Sequence, residues 1–151
     1  MKKVDFVLKS TPSYHVASIV RKGPYVEDNL RREFRELTLW AKKNGVRTGR
    51  WIFQHRRDDL WEACLEIQGK AKPEGRVRLR TLPPTHAASV VFNPDLFADR
   101  IVYHGLHDWT KWRRRSGEIK AVTGSREIYS GNPWTDKRAW ANCEVQLLVR
   151  K

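Results

Sequence analysis

LTLWAKKNGVRTG, residues 37–49, is the most informative segment of this chain, because its landmarks return later in the same order. Further matches flank the segment on both sides, and the two members of each pair are 71 to 78 residues apart. A common order of landmarks is less expected by chance than one shared tripeptide. The pairs are Ala17-Ser18 with Ala88-Ser89, Trp40 with Trp112, Gly45 with Gly117, Thr48-Gly49 with Thr123-Gly124, and Glu66-Ile67 with Glu144-Val145.

Each copy contains one predicted amphipathic helix. The first spans about 27–44, where acidic residues begin the helix, lysines end it and Gly45 stops it. The second spans about 95–115, with Asp95 as the N-cap after Pro94 and Gly117 beyond its end. The apolar stripes predicted to face a sheet are Leu30, Phe34, Leu37, Trp40 and Ala41 in the first helix, and Ala98, Ile101, Val102, Gly105, Trp109 and Trp112 in the second.

Strands rich in β-branched and aromatic residues surround both helices. They are predicted at 15–20, 51–55, 63–68, 77–82, 86–91, 126–130 and 143–149. The chain therefore predicts an α+β fold in which two βαββ units, 15–69 and 86–149, form a pseudo-two-fold duplication. The whole chain, 1–151, is predicted to be a single domain. Chance similarity between two αβ segments is the alternative.

Composition restricts the class of protein. Charged residues make up 31% of the 151 residues, and no apolar run is long enough to span a bilayer. The N-terminal segment lacks the apolar core of a signal peptide, so a cytoplasmic location with two reduced cysteines is expected. The net charge of +13 raises the question of anionic partners, and seven tryptophans indicate either an aromatic core or a binding pocket.

Four segments resemble the GyrI-like small-molecule-binding domain, which also serves as the effector-binding module of some AraC-type and MerR-type regulators. They are KGPY (22–25), LTLWAKKNGV (37–46), SREIYSGNP (125–133) and WANCEVQLLV (140–149). The resemblance implies one concave antiparallel sheet with two main helices and a central ligand cleft. It also implies an acidic residue on the last strand, here Glu144, that meets cationic or polar aromatic ligands. Because no helix-turn-helix pattern precedes the domain, a stand-alone form is expected.

The candidate ligand-binding residues follow from this interpretation. Glu144 interrupts an otherwise apolar strand, and a carboxylate that faces an apolar interior needs a partner. Its alternatives are a solvent-facing position or an ion pair with one of the thirty lysines and arginines. Glu66 is its counterpart in the first copy, and Tyr129 offers a flat wall and a hydroxyl. The remaining candidates are aromatic side chains that could stack on a ligand: Trp40, Trp109, Trp112, Tyr25 and Tyr103.

No cofactor and no metal site are predicted. His104 and His107 could share a helix face but have no third ligand, and Cys64 and Cys143 lack metal-binding spacing. The sequence contains no P-loop, dinucleotide-binding or nucleophile-elbow motif. Alternating arginines at 76, 78 and 80 form a stripe that could meet phosphates, or simply a solvated surface.

Three functions from different classes follow. The first is a binding module that holds a planar aromatic compound, with or without a positive charge, against an acidic anchor. The second is a hydrolase of reactive cyclopropanoid compounds, an activity that the resemblance implies for some relatives, with Glu144 acting on water and Tyr129 as polar partner. The third is a modulator of gyrase or nucleic acid, for which the surface charge predicts weak, non-specific binding. No membrane partner is expected, and the oligomeric state is left open.

Overall fold

The computed structural model describes residues 4–56 and 58–151, which form one eight-stranded antiparallel sheet and three helices. The sheet order is β1-β6-β8-β7-β3-β4-β2-β5. This architecture confirms the predicted α+β fold class. The strands are β1 (Val7–Thr11), β2 (Tyr14–Lys22), β3 (Arg47–Arg56), β4 (Leu60–Gln68), β5 (Arg78–Leu82), β6 (Thr85–Phe92), β7 (Ala121–Tyr129) and β8 (Cys143–Arg150), and the helices are α1 (Glu27–Asn44), α2 (Asp99–Arg115) and α3 (Lys137–Ala141).

The order of elements is duplicated. β2, α1, β3 and β4 are followed by β6, α2, β7 and β8, and the two halves meet where β3 pairs with β7 at the centre of the sheet. The outer strands are exchanged between the halves: β1 precedes the first unit but pairs with β6, whereas β5 precedes the second unit but pairs with β2. Each half therefore depends on a strand that is adjacent to the other half in sequence.

This exchange requires a curved sheet. Thr11 ends β1 at one edge, and Tyr14, three residues later, begins β2 near the other edge. Three residues of chain span at most about 11 Å, so the two edges must approach each other. The Arg126 guanidinium lies against this crossing, since it donates to Thr11 Oγ1 at 3.2 Å and covers the Tyr14 ring at 5.4 Å. The sheet is therefore concave on the face of Arg126, and both helices pack on the opposite face.

Helix α1 begins and ends where its sequence pattern predicts. Its predicted apolar stripe is buried against the sheet. Gly45 ends the helix with a positive φ of 63°, a conformation in which its backbone N–H donates to the Lys42 carbonyl. The helix packs on β4 and β2, and in its first turns Phe34 reaches Trp51 of β3.

Helix α2 differs from its prediction in its start and in its buried face. It begins at Asp99, and Asp95 precedes it in a turn, where its side chain accepts a hydrogen bond from Trp140 Nε1 at 2.9 Å. The buried residues are Val102, Leu106 and Thr110, whereas Ile101 and Trp112 of the predicted stripe are 70% and 67% exposed. Thr110 fits this face because its hydroxyl donates to the Leu106 carbonyl at 2.7 Å, which leaves only its methyl group to pack.

No helix within the described residues is long and apolar enough to cross a membrane.

Candidate functional site

An aromatic cleft lies between the first turns of α1 and α2, over the pairing of β3 with β7. Its cavity of about 240 Å³ has a floor of four side chains, Trp51, Phe53, Glu127 and Tyr129. Trp51 pairs with Tyr129 and Phe53 with Glu127 across the two strands. Alternate residues of a strand point to opposite faces, so all four face the helices. Leu30 and Phe34 of α1, Asp99 and Tyr103 of α2, and Trp134 and Trp140 complete the walls.

A second cavity of about 340 Å³ continues the cleft on one side. Both cavities are lined by Tyr25, Phe53, Asp99, Tyr103 and Glu127, so they form one continuous site. Trp61 closes the extension, and its ring stacks on Phe53 at 5.1 Å with an interplanar angle of 12°. The Tyr25 ring lies 5.4 Å from the same tryptophan.

The opposite end of the cleft is a second aromatic cluster. Trp51 stacks on Phe34 at 4.6 Å and meets the edge of Trp134 at 6.2 Å. Two side chains of α1 fix the position of the Trp134 ring. Its Nε1 donates to Glu27 Oε1 at 3.2 Å, and the Arg31 guanidinium covers the ring at 5.2 Å. Flat, π-rich walls of this kind suit a planar or propeller-shaped aromatic molecule.

Glu127 is the carboxylate at the floor of the cleft. Its Oε1 accepts a short hydrogen bond from the Tyr103 hydroxyl, and its Oε2 accepts one from the Tyr129 hydroxyl at 2.8 Å. Within the described part of the chain, no lysine, arginine or histidine lies within 4.0 Å of it. Burial, and then the charge of Glu127, raise the pKa of both tyrosines. The two phenols therefore stay protonated and keep donating to the carboxylate.

The ionisable side chains of the 240 Å³ cavity are acidic or uncharged, whereas His55 and Arg126 line its extension. Glu27, Asp99 and Glu127 line the cavity itself together with tyrosines and Cys143, and none of its lining residues is basic. This contrasts with the net charge of +13. Glu27 and Asp99 occupy first helical turns, where acidic residues are common because they oppose the helix dipole. Glu127 lies on a strand, so the helix dipole does not explain it.

The structure brings three of the predicted site residues into this cleft, Tyr25, Tyr103 and Tyr129. The three predicted tryptophans lie elsewhere. Trp40 is a core residue whose Nε1 donates to the Lys72 carbonyl at 3.0 Å. Trp109 packs against Phe6 under the Arg113 guanidinium, and Trp112 is exposed at the end of α2. The prediction that these tryptophans surround the cleft is wrong, because the buried face of α2 is rotated from the predicted stripe and Trp40 lies beyond the cleft along α1.

Glu144, the predicted anchor, also lies outside the cleft. In β8 Cys143 faces the helices, so Glu144 points to the concave face, where Lys9 Nζ lies 2.6 Å from its Oε2. The Ser89 hydroxyl and the Gln146 amide also donate to this oxygen, each at 2.6 Å. Its counterpart, Glu66, lies on the same concave face and pairs with Arg50 at 3.1 Å. The prediction that both glutamates face the ligand cleft is wrong. Each forms an ion pair with a basic side chain of the protein, which was the alternative for Glu144.

Sequence reasoning missed Glu127, Trp51, Phe53, Trp61 and Trp134 as cleft residues. A signal was present in the strand patterns WIFQH (51–55) and REIY (126–129). Alternation puts Trp51 with Phe53 on one face, and Glu127 with Tyr129 on one face. The sequence alone does not tell whether Glu127 or Glu144 faces the cleft. The pairing of β7 with β8 decides this, because Glu144 lies opposite Ile128 and therefore on the other face from Glu127.

Among the described residues, no group of three histidine, cysteine, aspartate or glutamate side chains is arranged to hold a metal ion.

Comparison of the whole chain places it among α+β proteins of known structure. No protein-family model matches the sequence, and no curated protein does. The crystal structure of the EcmrR C-terminal domain has a TM-score of 0.73, with 17% identity over 98% of both chains. EcmrR has also been solved by cryo-EM in a DNA complex, with 20% identity, and this chain spans 58% of the length of that one. At these identities the likeness shows a shared fold.

Two further solved structures share the fold. SAV2435, solved with bound tetraphenylphosphonium, is 9% identical over 97% of this chain and 94% of its own, with a TM-score of 0.55. A hydrolase from Listeria innocua is 14% identical over 98% of this chain and 92% of its own, with a TM-score of 0.56.

Proposed function

We propose that this protein is a small-molecule-binding domain that takes an aromatic cation into the cleft between α1 and α2. The observation that carries the proposal is Glu127, a carboxylate that two phenols hold at the floor of an aromatic cleft and that has no basic partner within the described residues. Glu127 is partly buried, and a carboxylate that loses its remaining water when a ligand enters needs a counter-charge, which a cationic ligand supplies. The Trp51 and Phe53 rings on either side add cation–π attraction.

The ligand class follows from the same features. The walls offer ring faces and edges and few hydrogen-bond donors, so shape and positive charge would dominate recognition. SAV2435, which has this fold, was solved with tetraphenylphosphonium, a molecule that combines four aromatic rings with one positive charge. That likeness makes tetraphenylphosphonium the natural first probe for this chain.

A fluorescence titration tests the proposal. Trp51, Trp61 and Trp134 line the cleft, so tetraphenylphosphonium should change the tryptophan emission in a saturable way. Glu127→Gln should weaken this binding about 10- to 100-fold, because tetraphenylphosphonium has no hydrogen-bond donor and a unit charge about 6–8 Å from a carboxylate is attracted by about 2–3 kcal/mol at an effective dielectric constant of about 20. Neutral triphenylphosphine oxide should bind both proteins within about twofold of each other, because the ring contacts are unchanged.

Glu144→Gln is the matched control, since it removes one carboxylate from the opposite face of the sheet. It should leave tetraphenylphosphonium binding unchanged. Equal binding by wild-type protein and by a folded Glu127→Gln variant would refute the role of this carboxylate.

Hydrolysis is a second candidate function, favoured by the arrangement of Glu127 with two tyrosines. Glu127 could take a proton from a water that attacks a strained ring carbon. The broken carbon–carbon bond would leave its electrons on a conjugated carbonyl of the substrate, which Tyr103 or Tyr129 could protonate, and that phenol would recover its proton from Glu127 along their hydrogen bond. A cyclopropanoid compound incubated with the protein should then gain the mass of one water, and Glu127→Gln should abolish this gain. Recovery of unchanged compound would leave binding as the function of the cleft.

A further inference from the structure

A separate cavity of about 420 Å³ opens on the concave face of the sheet, opposite the aromatic cleft. Three arginines line it: Arg56 of β3, Arg80 of β5 and Arg126 of β7. Apolar side chains, among them Leu82 and Leu148, form part of the remaining wall. The charged side chains that line this cavity are therefore mostly basic, whereas those of the 240 Å³ cavity are acidic.

Arg126 is the unusual residue in this cavity, because its side chain is buried and, among the described residues, forms no direct ion pair. The residue is 3% exposed. Its Nε donates to Gln146 Oε1 at 2.7 Å and its Nη2 donates to Thr11 Oγ1 at 3.2 Å, and both acceptors are neutral. Across the residues described, no aspartate or glutamate oxygen lies within 4.0 Å of the guanidinium. Burial lowers the pKa of this arginine, and a guanidinium still keeps its proton at neutral pH.

The glutamates of the concave face already have partners of their own. Glu144 pairs with Lys9 at 2.6 Å, Glu66 with Arg50 at 3.1 Å and the fully buried Glu62 with Arg80 at 2.9 Å. Glu144 is the carboxylate whose charge acts on Arg126 at longer range, and the Gln146 amide lies between the two side chains. Arg56 and Arg126 therefore remain as positive charges in excess of these three pairs. Among the described residues that line the cavity, Asp58, in an exposed turn at its wall, is the one with an acidic side chain.

We infer that this cavity is a second ligand site, which binds the oxyanion group of a small phosphate or carboxylate compound through Arg126 and Arg56. A guanidinium presents a planar fork of N–H donors that matches both kinds of oxyanion. The anion would provide the direct ion-pair partner that Arg126 does not have among the described residues. The cavity volume exceeds that of one phosphate, so a small organic group could pack against Leu82 and Leu148.

Calorimetric titration with inorganic phosphate, and separately with succinate, tests this inference at ionic strength held constant with chloride. At least one of the two should bind saturably with one site per chain, and the stronger of them identifies the kind of oxyanion. Arg56→Gln should weaken binding about tenfold or more, since it removes one charge-assisted contact. Arg114→Gln, which removes an exposed arginine from the far end of α2, should have no effect.

Two more variants distinguish anion binding in this cavity from cation binding in the cleft and from loss of folding. Glu127→Gln should bind the anion as the wild type does, so failure of the cation proposal and failure of this one are distinguishable. Arg126→Gln also removes a contact to the β1–β2 crossing. If this variant folds, it should lose anion binding, and if it does not fold, Arg56→Gln decides. The inference is overturned if neither anion binds saturably, or if Arg114→Gln weakens binding as much as Arg56→Gln.

Discussion

Glu144→Gln is expected to destabilise the fold and leave the cleft unaffected. The carboxylate is 18% exposed and makes three contacts through one oxygen, to Lys9, Ser89 and Gln146, all at 2.6 Å. An amide of the same shape can still accept from one of these donors, but it no longer carries the charge that Lys9 pairs with. Lys9 lies on β1, an edge strand that pairs with β6. Loss of the contact between Lys9 and Glu144 therefore weakens the attachment of β1 to the second unit.

The magnitude follows from these contacts. A hydrogen bond to a charged group contributes about 1.5–3 kcal/mol, and the Lys9 side chain is 41% exposed, which reduces the contribution of the ion pair. We therefore expect a loss of about 1–2 kcal/mol in the free energy of unfolding. For a chain of this size, that corresponds to a fall in Tm of roughly 2–8 °C.

The pH dependence provides a second check. Burial alone would raise the pKa of Glu144, but the hydrogen bonds from Lys9, Ser89 and Gln146 outweigh it and hold the pKa below its ordinary value of 4.5. A lowered pKa in the folded state adds stability above the pKa of the unfolded chain, and this stability is lost as the pH falls through the folded value. The difference in stability between wild type and Glu144→Gln should therefore shrink in acid.

Denaturant unfolding with a double-mutant cycle measures this coupling. Lys9→Met, Glu144→Gln and the double variant should give less than additive losses, because each single change removes the same ion pair. Tetraphenylphosphonium titration of each variant reports on the cleft. A variant that keeps wild-type stability but loses tenfold in cation affinity would refute the reasoning and return Glu144 to the role of ligand anchor.

Three other predictions concern packing, thiol chemistry and nucleic acid. Gly105→Ala should cost about 1–3 kcal/mol in unfolding measurements, because its Cβ would lie 2.9 Å from Phe6 Cζ, whereas Gly131→Ala, with 3.7 Å to its nearest neighbour, should be close to neutral; equal losses would contradict the steric reason. Burial raises the pKa of the Cys143 thiol to about 12 and that of the Cys64 thiol well above its ordinary value. Iodoacetamide at pH 8 should therefore label neither cysteine in the native protein and both after unfolding, and mass spectrometry counts the labels. Retention on DNA should fall steeply with salt and be the same for unrelated duplexes, and sequence-selective binding at physiological salt would contradict this.

The helices show which sequence signals are reliable. The bounds of α1 agree with the sequence because its stripe, its charged ends and Gly45 all indicate the same segment. In α2 apolar residues occur on more than one face, since Ile101 and Trp112 are exposed while Thr110 is buried. Periodicity could not choose between these faces. The short strand β1 was missed because only two of its five residues, Val7 and Leu8, are apolar.

The site was harder to predict than the fold because it depends on which face of the sheet each strand residue occupies. Moving by one position along a strand exchanges the two faces. Cys143 lines the cleft and Glu144 does not, so the predicted anchor was one residue from a cleft position. The resemblance implied an acidic residue on the last strand, whereas the register of β7 against β3 places Glu127 of β7 opposite Phe53 in the cleft.

The same alternation explains how a chain with a net charge of +13 can offer an acidic cleft. Arg126 and Glu127 are neighbours on β7, yet they point to the concave face and to the helix face respectively. The two proposed sites therefore have opposite charge although one sheet separates them.

The dependence of cation binding on salt tests where the cation binds. At physiological ionic strength the surface charge is screened over about 8 Å, while a desolvated contact such as the one proposed for Glu127 is screened much less. Added salt should then weaken the long-range repulsion of a cation more than its contact with Glu127. Affinity for tetraphenylphosphonium, measured by fluorescence in about 50 mM and about 300 mM salt, should stay constant or rise, opposite in direction to the retention on DNA. A steep fall in cation affinity with salt would indicate an exposed surface site and would contradict the cleft as the place of binding.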